Sequence, residues 1–196
     1  MILPIVAYGE NILKTKAVNI SSGYPELKKL INDMWETMYN ANGVGIAAPQ
    51  IGKSIRLFVI DASPFSEDKE ISDDEISTLK NFKKVFINPE IIDETGDEWN
   101  FMEGCLSIPN IREDIKRKEK ITIKYYNESF EEIELDLEGL AARVVQHEYD
   151  HIEGVLFIDK LSSLKKKLLK GKLNDISKGK IKTEYKMRYP QGKIKR

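Results

Sequence analysis

Both histidines and the only cysteine of this chain lie in two short segments. The sequence HEYDH at 147–151 contains His147 and His151, and the sequence EGCLS at 103–107 contains Cys105. Residues four positions apart share one face of a helix, so the two imidazoles can bind one metal ion. Glu148, between them, can act on a metal-bound water molecule. The spacing therefore predicts a catalytic metal site.

The third protein ligand has to be chosen among several residues. One class of peptidase continues this pattern with a glycine and a third histidine, and here the match ends at Gly154, because Phe157 stands where that histidine would be. A second class uses a downstream glutamate, but neither Glu153 nor Glu184 is well placed for that role. Cys105 lies upstream and is a soft ligand that suits zinc or iron. Two histidines, one cysteine and an open position describe a catalytic rather than a structural site.

The alternative to a metal site is a solvent-exposed polar face of a helix. The apolar residues Val144, Val145 and Ile152 flank the motif and favour burial over exposure. Buried imidazoles and a buried carboxylate need polar or metal partners, since leaving them without partners destabilises the folded state.

The composition is that of an ordinary globular protein. The chain has 196 residues, of which 41% are hydrophobic and 32% charged, so we expect one domain with a sizeable core. A single cysteine cannot form an internal disulfide, and the N-terminus lacks the basic start and cleavage site of a signal peptide. We therefore expect a cytoplasmic protein without a membrane segment.

The net charge of −1 is unevenly distributed along the chain. Residues 160–196 carry 14 Lys/Arg and 2 Asp/Glu, so this segment has a charge of +12 and the preceding residues a charge of −13. The simpler interpretation is a solvated basic tail. The alternative is a surface that binds a polyanion.

Hydrophobic periodicity predicts three main helices and several short strands. The helices are expected at about 24–41, 139–153 and 162–172, and the strands at 57–60, 85–89, 121–125 and 132–137. Residues 63–81 are polar and mostly acidic, and we expect a surface excursion there. The predicted class is α+β, with antiparallel strands packed around a central metal-binding helix, an N-terminal helix and a C-terminal helix.

Three segments together resemble the peptide deformylase family. They are GVGIAAPQ at 43–50, EGCLS at 103–107 and QHEYDH at 146–151, and the resemblance extends over roughly residues 1–170. The resemblance supports a single catalytic metallohydrolase domain at 1–172, followed by a basic tail at 173–196 that we expect to be partly disordered. It implies hydrolytic removal of the N-formyl group from the initiator methionine of nascent polypeptides. The reaction would use a metal-activated water and a glutamate as general base.

The resemblance also implies roles for individual residues. Cys105, His147 and His151 would hold one divalent metal ion, with Fe(II) preferred over Zn(II). Glu148 would be the general base and then the general acid. The side chain of Gln50 and the backbone N–H of Leu106 would stabilise the oxyanion. Glu103 would orient Gln50.

Five further residues are expected to bind the substrate. Val44 and Gly45 would pair with an extended peptide, and Gly104 would line the same groove. Arg112 would contact the peptide backbone. The stem of Arg143 would pack in the methionine pocket while its charge reaches the rim.

The expected partners are N-formylmethionyl nascent peptides and, through the basic C-terminal region, the ribosome; no membrane or direct DNA role is expected. Two other functions stay open at this point. One is a metallopeptidase that cleaves peptide bonds, and the other is a non-catalytic metal-binding or ribosome-associated protein. Release of formate from formyl-Met-Ala-Ser would distinguish the first from a deformylase.

Overall fold

The computed structural model describes residues 1–67, 71–190 and 194–195. The four α-helices are α1 (Leu27–Asn40), α2 (Asp73–Lys80), α3 (Gly139–Ile152) and α4 (Ser163–Ser177). The strands are β1 (Ile5–Val6), β2 (Gly45–Ala47), β3 (Leu57–Asp61), β4 (Lys83–Cys105), β5 (Ile108–Tyr126), β6 (Glu132–Glu138), β7 (Met187–Arg188) and β8 (Ile194–Lys195). Short 3-10 helices cover Asn11–Lys14, Ala48–Ile51, Ser63–Glu67 and Phe157–Lys160.

Two sheets are present in the described part of the chain. The larger has the strand order β2-β3-β4-β5-β6, and every pair of neighbours is antiparallel. The smaller has the order β1-β7-β8, in which β1 and β7 run parallel and bring the two ends of the chain together. The α+β class predicted from the sequence is confirmed.

A long hairpin formed by β4 and β5 dominates the larger sheet. These strands have 23 and 19 residues, whereas the sequence predicted strands only at 85–89 and 121–125. The prediction stopped short because residues 93–98 are polar or glycine and exposed, and residues 116–120 are all charged, so this part of the hairpin shows no apolar alternation. Charge pairs such as Glu98 with Lys116, 2.8 Å apart, line this part instead. The tip of the hairpin is the turn that carries Cys105 and Leu106.

Helix α3 packs one face against the larger sheet. Its residues Ala142 and Val145 are fully buried in a cluster with Phe58 and Phe86 of strands β3 and β4. The ring of Phe86 lies 4.7 Å from that of Phe58 and 4.4 Å from that of Tyr125. This cluster fixes the position of the helix that carries HEYDH.

Two sequence predictions of local structure need correction. Helix α1 begins at Leu27 rather than near residue 24, because Glu26 has a φ of 53° and cannot continue a right-handed helix.

The segment 63–81, predicted to be a surface excursion, contains α2. The side chain of Ser72 caps this helix by accepting the N–H of Glu75 at 3.2 Å. Leu79 is buried in the core. Residues 68–70 of that prediction lie outside the described residues.

The last helix continues beyond residue 172, where the sequence predicted its end. Leu173 and Ile176 of α4 are buried in one cluster with Met187 and Tyr189. The division of the chain at residue 172 stays a prediction, as does partial disorder of the tail at 173–196, of which residues 191–193 and 196 lie outside the described part. Among the described helices, none is both long and apolar enough to cross a bilayer.

We predict that Phe86→Ala destabilises the protein by about 3–5 kcal/mol, because it leaves a cavity between two aromatic rings in the centre of the core. Urea unfolding followed by circular dichroism measures the change. Leu168→Ala is the control, since Leu168 is 73% exposed on α4 and its loss should change stability by less than about 0.5 kcal/mol. Equal effects of the two substitutions would contradict this account of the core.

Candidate active site

The three residues that could hold a metal ion come together in the structure. One ligand atom from each of Cys105, His147 and His151 lies within 4.8 Å of the others. The sulfur of Cys105 is 3.2 Å from Nε2 of His151. The histidines lie one turn apart on α3, and the cysteine ends β4, so the sheet and the helix have to pack correctly before the site exists. One thiolate and two imidazoles fit a divalent transition metal.

Glu103 contacts the far side of this cluster. Its Oε2 is 2.9 Å from Nδ1 of His147, which leaves Nε2 of that histidine as the available ligand nitrogen. The sequence analysis expected Glu103 to orient Gln50, and this is corrected. The carboxylate is 5% exposed and turns toward the buried cations Arg117 and Arg143, because a buried negative charge requires such partners.

Arg117 is a site residue that the motifs did not reveal. Its guanidinium donates to Oε1 and Oε2 of Glu103 at 2.7 and 2.9 Å and to Oδ2 of Asp150 at 2.7 Å. Burial alone would raise the pKa of Glu103, but the hydrogen bonds from Arg117 and His147 hold this pKa well below its ordinary value. The only sequence signal for Arg117 is indirect: a glutamate buried beside a metal ligand needs a cation.

Glu148 is buried beside the cluster and lies against strand β2. A Cβ atom built on Gly45 would lie 2.6 Å from Oε1 of Glu148, so the absence of a side chain at residue 45 makes room for the carboxylate. Oε2 of Glu148 has no hydrogen-bond partner within the described part of the chain. Burial raises the pKa of Glu148 to about 7, the range in which a carboxyl group can accept and return protons at neutral pH.

Gln50 is held with its amide in one orientation. Its Oε1 accepts the backbone N–H of Ala47 at 2.8 Å. Its Nε2 is therefore directed to the cysteine turn, 3.6 Å from the sulfur of Cys105 and 3.4 Å from the hydroxyl of Ser107. This arrangement aims an N–H donor at the space beside the metal ligands.

A cleft of about 1110 Å³ opens over these residues. Cys105, His147 and Glu103 line it. The residues for which the sequence predicted a catalytic or substrate-binding role line it as well: Val44, Gly45, Gln50, Gly104, Leu106, Arg112, Arg143 and Glu148.

The predicted orientation of Arg143 is wrong. Its guanidinium does not reach the rim, because it donates to Glu103 at 3.1 Å and to the carbonyl oxygens of Ile115 and Trp99 at 3.0 and 2.8 Å. Only the remainder of its side chain can face the cleft.

Comparison with known proteins identifies the family. A sequence model of the family described as Polypeptide deformylase matches residues 2–167. The chain belongs to the peptide deformylase family. It is 61% identical over 193 residues to the peptide deformylase of Christiangramia forsetii, and the match covers 98% of each chain. It is 55% identical over 193 residues to that of Flavobacterium johnsoniae, again with 98% of each chain covered.

Solved peptide deformylase structures share the fold. The crystal structure of the enzyme from Legionella pneumophila has a TM-score of 0.76 and 39% identity, covering 92% of this chain and 98% of that one. The enzyme from Plasmodium falciparum has a TM-score of 0.77 and 31% identity, covering 89% and 95% of the two chains. Peptide deformylases are metal-dependent hydrolases that remove the N-formyl group from nascent polypeptides, and this chain shares that activity.

We predict that Glu103→Gln lowers the metal affinity of this peptide deformylase by about 10–100-fold, because His147 loses the carboxylate that orients it. Dialysis against a graded chelator followed by metal analysis measures the affinity. Glu98→Gln is the control, since it removes a carboxylate that pairs with Lys116 on the exposed part of the hairpin. Unchanged metal retention in Glu103→Gln would show that the carboxylate does not support the site.

Proposed function

We propose that the chain removes the formyl group from the initiator methionine with Glu148 as the group that moves the protons. The observation that carries this proposal is the environment of Glu148. It lies between two candidate metal ligands in the sequence, is buried, lines the cleft, and has one carboxylate oxygen without a hydrogen-bond partner among the described residues. A merely structural buried glutamate would have its oxygens paired.

We assign Cys105, His147 and His151 as the protein ligands of one divalent ion, with Fe(II) preferred and Zn(II) as the alternative. The donor set fits both ions. When bound, such an ion supplies a Lewis acid that polarises a carbonyl group and lowers the pKa of water. Glu103 and Arg117 hold His147 so that its Nε2 faces the ligand position.

Glu148 completes the chemistry by moving two protons. It accepts one from the water whose oxygen attacks the formyl carbon, and it gives one to the methionine nitrogen as the C–N bond breaks. The products are formate and a free amino terminus. Nε2 of Gln50 and the backbone N–H of Leu106 are the donors that stabilise the negative charge on the formyl oxygen.

The larger sheet offers an edge to the peptide. Strand β2 is the last strand on that side and pairs only with β3 in the described structure. We propose that the substrate backbone pairs along the edge formed by Val44 and the start of β2 at Gly45, in the cleft that Gly104 and Arg112 also line. Main-chain pairing is independent of sequence, which suits an enzyme that acts on many amino termini. The apolar lining of the cleft, which includes Phe101 and Val144, would take the methionine side chain.

The test is release of formate from formyl-Met-Ala-Ser, with free amino acids measured in the same sample. We predict formate without free amino acids for the wild type, and a fall in kcat of at least about 10²-fold for Glu148→Gln with the metal retained. Free amino acids as the product would favour a metallopeptidase. Loss of metal from Glu148→Gln would make Glu148 a ligand instead of a base.

We also propose that the exposed basic face of α4 brings the enzyme to the ribosome in the cytoplasm, where its substrate emerges. Lys167 and Lys170 are exposed, beside the exposed apolar residues Leu164 and Leu168. Lys165, in contrast, is paired with Glu113 at 2.7 Å and is less available. Lysine clusters bind RNA phosphate through release of counterions.

Replacing Lys167, Lys170 and Lys172 by Gln should weaken co-sedimentation with ribosomes, with a reduced dependence of binding on salt. Formate release from a short peptide should not change. Lys28→Gln with Lys29→Gln on α1 is the matched control, because both lysines are exposed and distant in sequence from α4. Equal co-sedimentation of the two variants would show that the basic face of α4 is a solvated surface without a role in ribosome binding.

A further inference from the structure

The segment at 182–185 lines the active-site cleft although it lies beyond residue 167, where the family match ends. It follows α4 and leads into β7. The residues that follow it are held beside β1 by backbone hydrogen bonds. Ile5 N–H donates to the Lys186 carbonyl at 2.9 Å, and Ala7 N–H donates to the Arg188 carbonyl at 2.8 Å. The end of the chain is thus attached to the beginning and forms one wall of the cleft.

Tyr185 is the residue of this segment that contacts the site. Its hydroxyl donates to the backbone carbonyl of Leu106 at 2.8 Å, across 79 positions of sequence. Its ring packs against the buried clusters around Phe157 and Met38. Burial raises the pKa of Tyr185 above its ordinary value, so the hydroxyl keeps its proton and stays a donor at neutral pH.

The turn that Tyr185 contacts carries two parts of the site. Cys105 offers the thiolate, and Leu106 offers the backbone N–H for the oxyanion. The turn is anchored on its other side by the N–H of Tyr8, which donates to the Ser107 carbonyl at 2.9 Å. Leu106 and Ser107 are the two turn residues between the paired residues Cys105 and Ile108, and the Leu106 carbonyl receives the hydrogen bond of the Tyr185 side chain.

We propose that Tyr185 is a positioning residue for deformylation: its hydrogen bond to the Leu106 carbonyl fixes the orientation of the Cys105–Leu106 turn and so aims the Leu106 N–H at the formyl oxygen. The inference rests on the oxyanion role assigned to Leu106 above. It makes the C-terminal segment a part of the catalytic structure. An oxyanion donor acts only when it is held in place before the charge develops, so loss of the anchor reduces kcat more than substrate binding.

Tyr185→Phe in the full-length, metal-loaded enzyme tests the proposal, because it removes the hydroxyl and keeps the ring. We expect kcat to fall about tenfold with KM within about twofold of wild type, which corresponds to a loss confined to the transition state. We also expect faster amide hydrogen exchange in the peptide that spans residues 103–109. Tyr189→Phe is the matched control, since it removes the hydroxyl of a buried tyrosine four positions further along, and that hydroxyl interacts with Thr183 rather than with the Leu106 carbonyl.

The outcomes separate this inference from the proposed function. No formate release by the wild type would overturn the function itself. An active wild type with an unchanged kcat in Tyr185→Phe would overturn the positioning role alone. A rise in KM at constant kcat would also overturn it and make Tyr185 a substrate contact. The same loss of activity in Tyr189→Phe would show that the segment acts only through stability.

Discussion

The site depends on the burial of one negative charge, that of Glu103. A carboxylate placed inside a protein destabilises it unless cations and hydrogen bonds compensate, and here Arg117, Arg143 and His147 do so together. These partners come from β5 and from α3, so the same charge that orients His147, a candidate metal ligand, also joins the hairpin to the helix. Loss of this carboxylate would leave two buried arginines without their common partner.

The need to compensate the charge of Glu103 explains why the buried polar residues extend beyond those to which we assign a part in the reaction. Arg117 continues from Glu103 to Asp150, the residue that precedes His151 on α3. The ionic network therefore reaches both histidines of the motif. It contacts the ring of His147 through Glu103, and it contacts Asp150, the neighbour of His151, through Arg117. The apolar contacts of α3 with Phe58 and Phe86 hold the opposite face of the helix, so the candidate metal ligands lie between the apolar core and the ionic network.

The sequence allowed prediction of the parts of the site that are carried by local spacing. His147, Glu148 and His151 share a helix face, and their arrangement follows from helical geometry. The partner of Glu103 was predicted wrongly because its contacts, with the neighbouring strand β5 and with helix α3, join residues far apart in the sequence and leave no local signal. The same holds for Arg117 and Tyr185, which lie 14 and 82 positions from Glu103. The long hairpin was underestimated because its exposed charge pairs lack apolar alternation, and α2 was missed although Ser72 and Glu75 have the spacing of a helix cap.

The parallel pairing of β1 with β7 determines when the cleft can be completed during protein synthesis. A ribosome makes Ile5 long before Met187, so this pair cannot form until residue 187 has been synthesised. The wall of the cleft that contains Tyr185 is added at the same time. A chain that has not yet been translated as far as Tyr185 therefore lacks this wall of the cleft, and the cleft of each copy is completed only after that residue has been made.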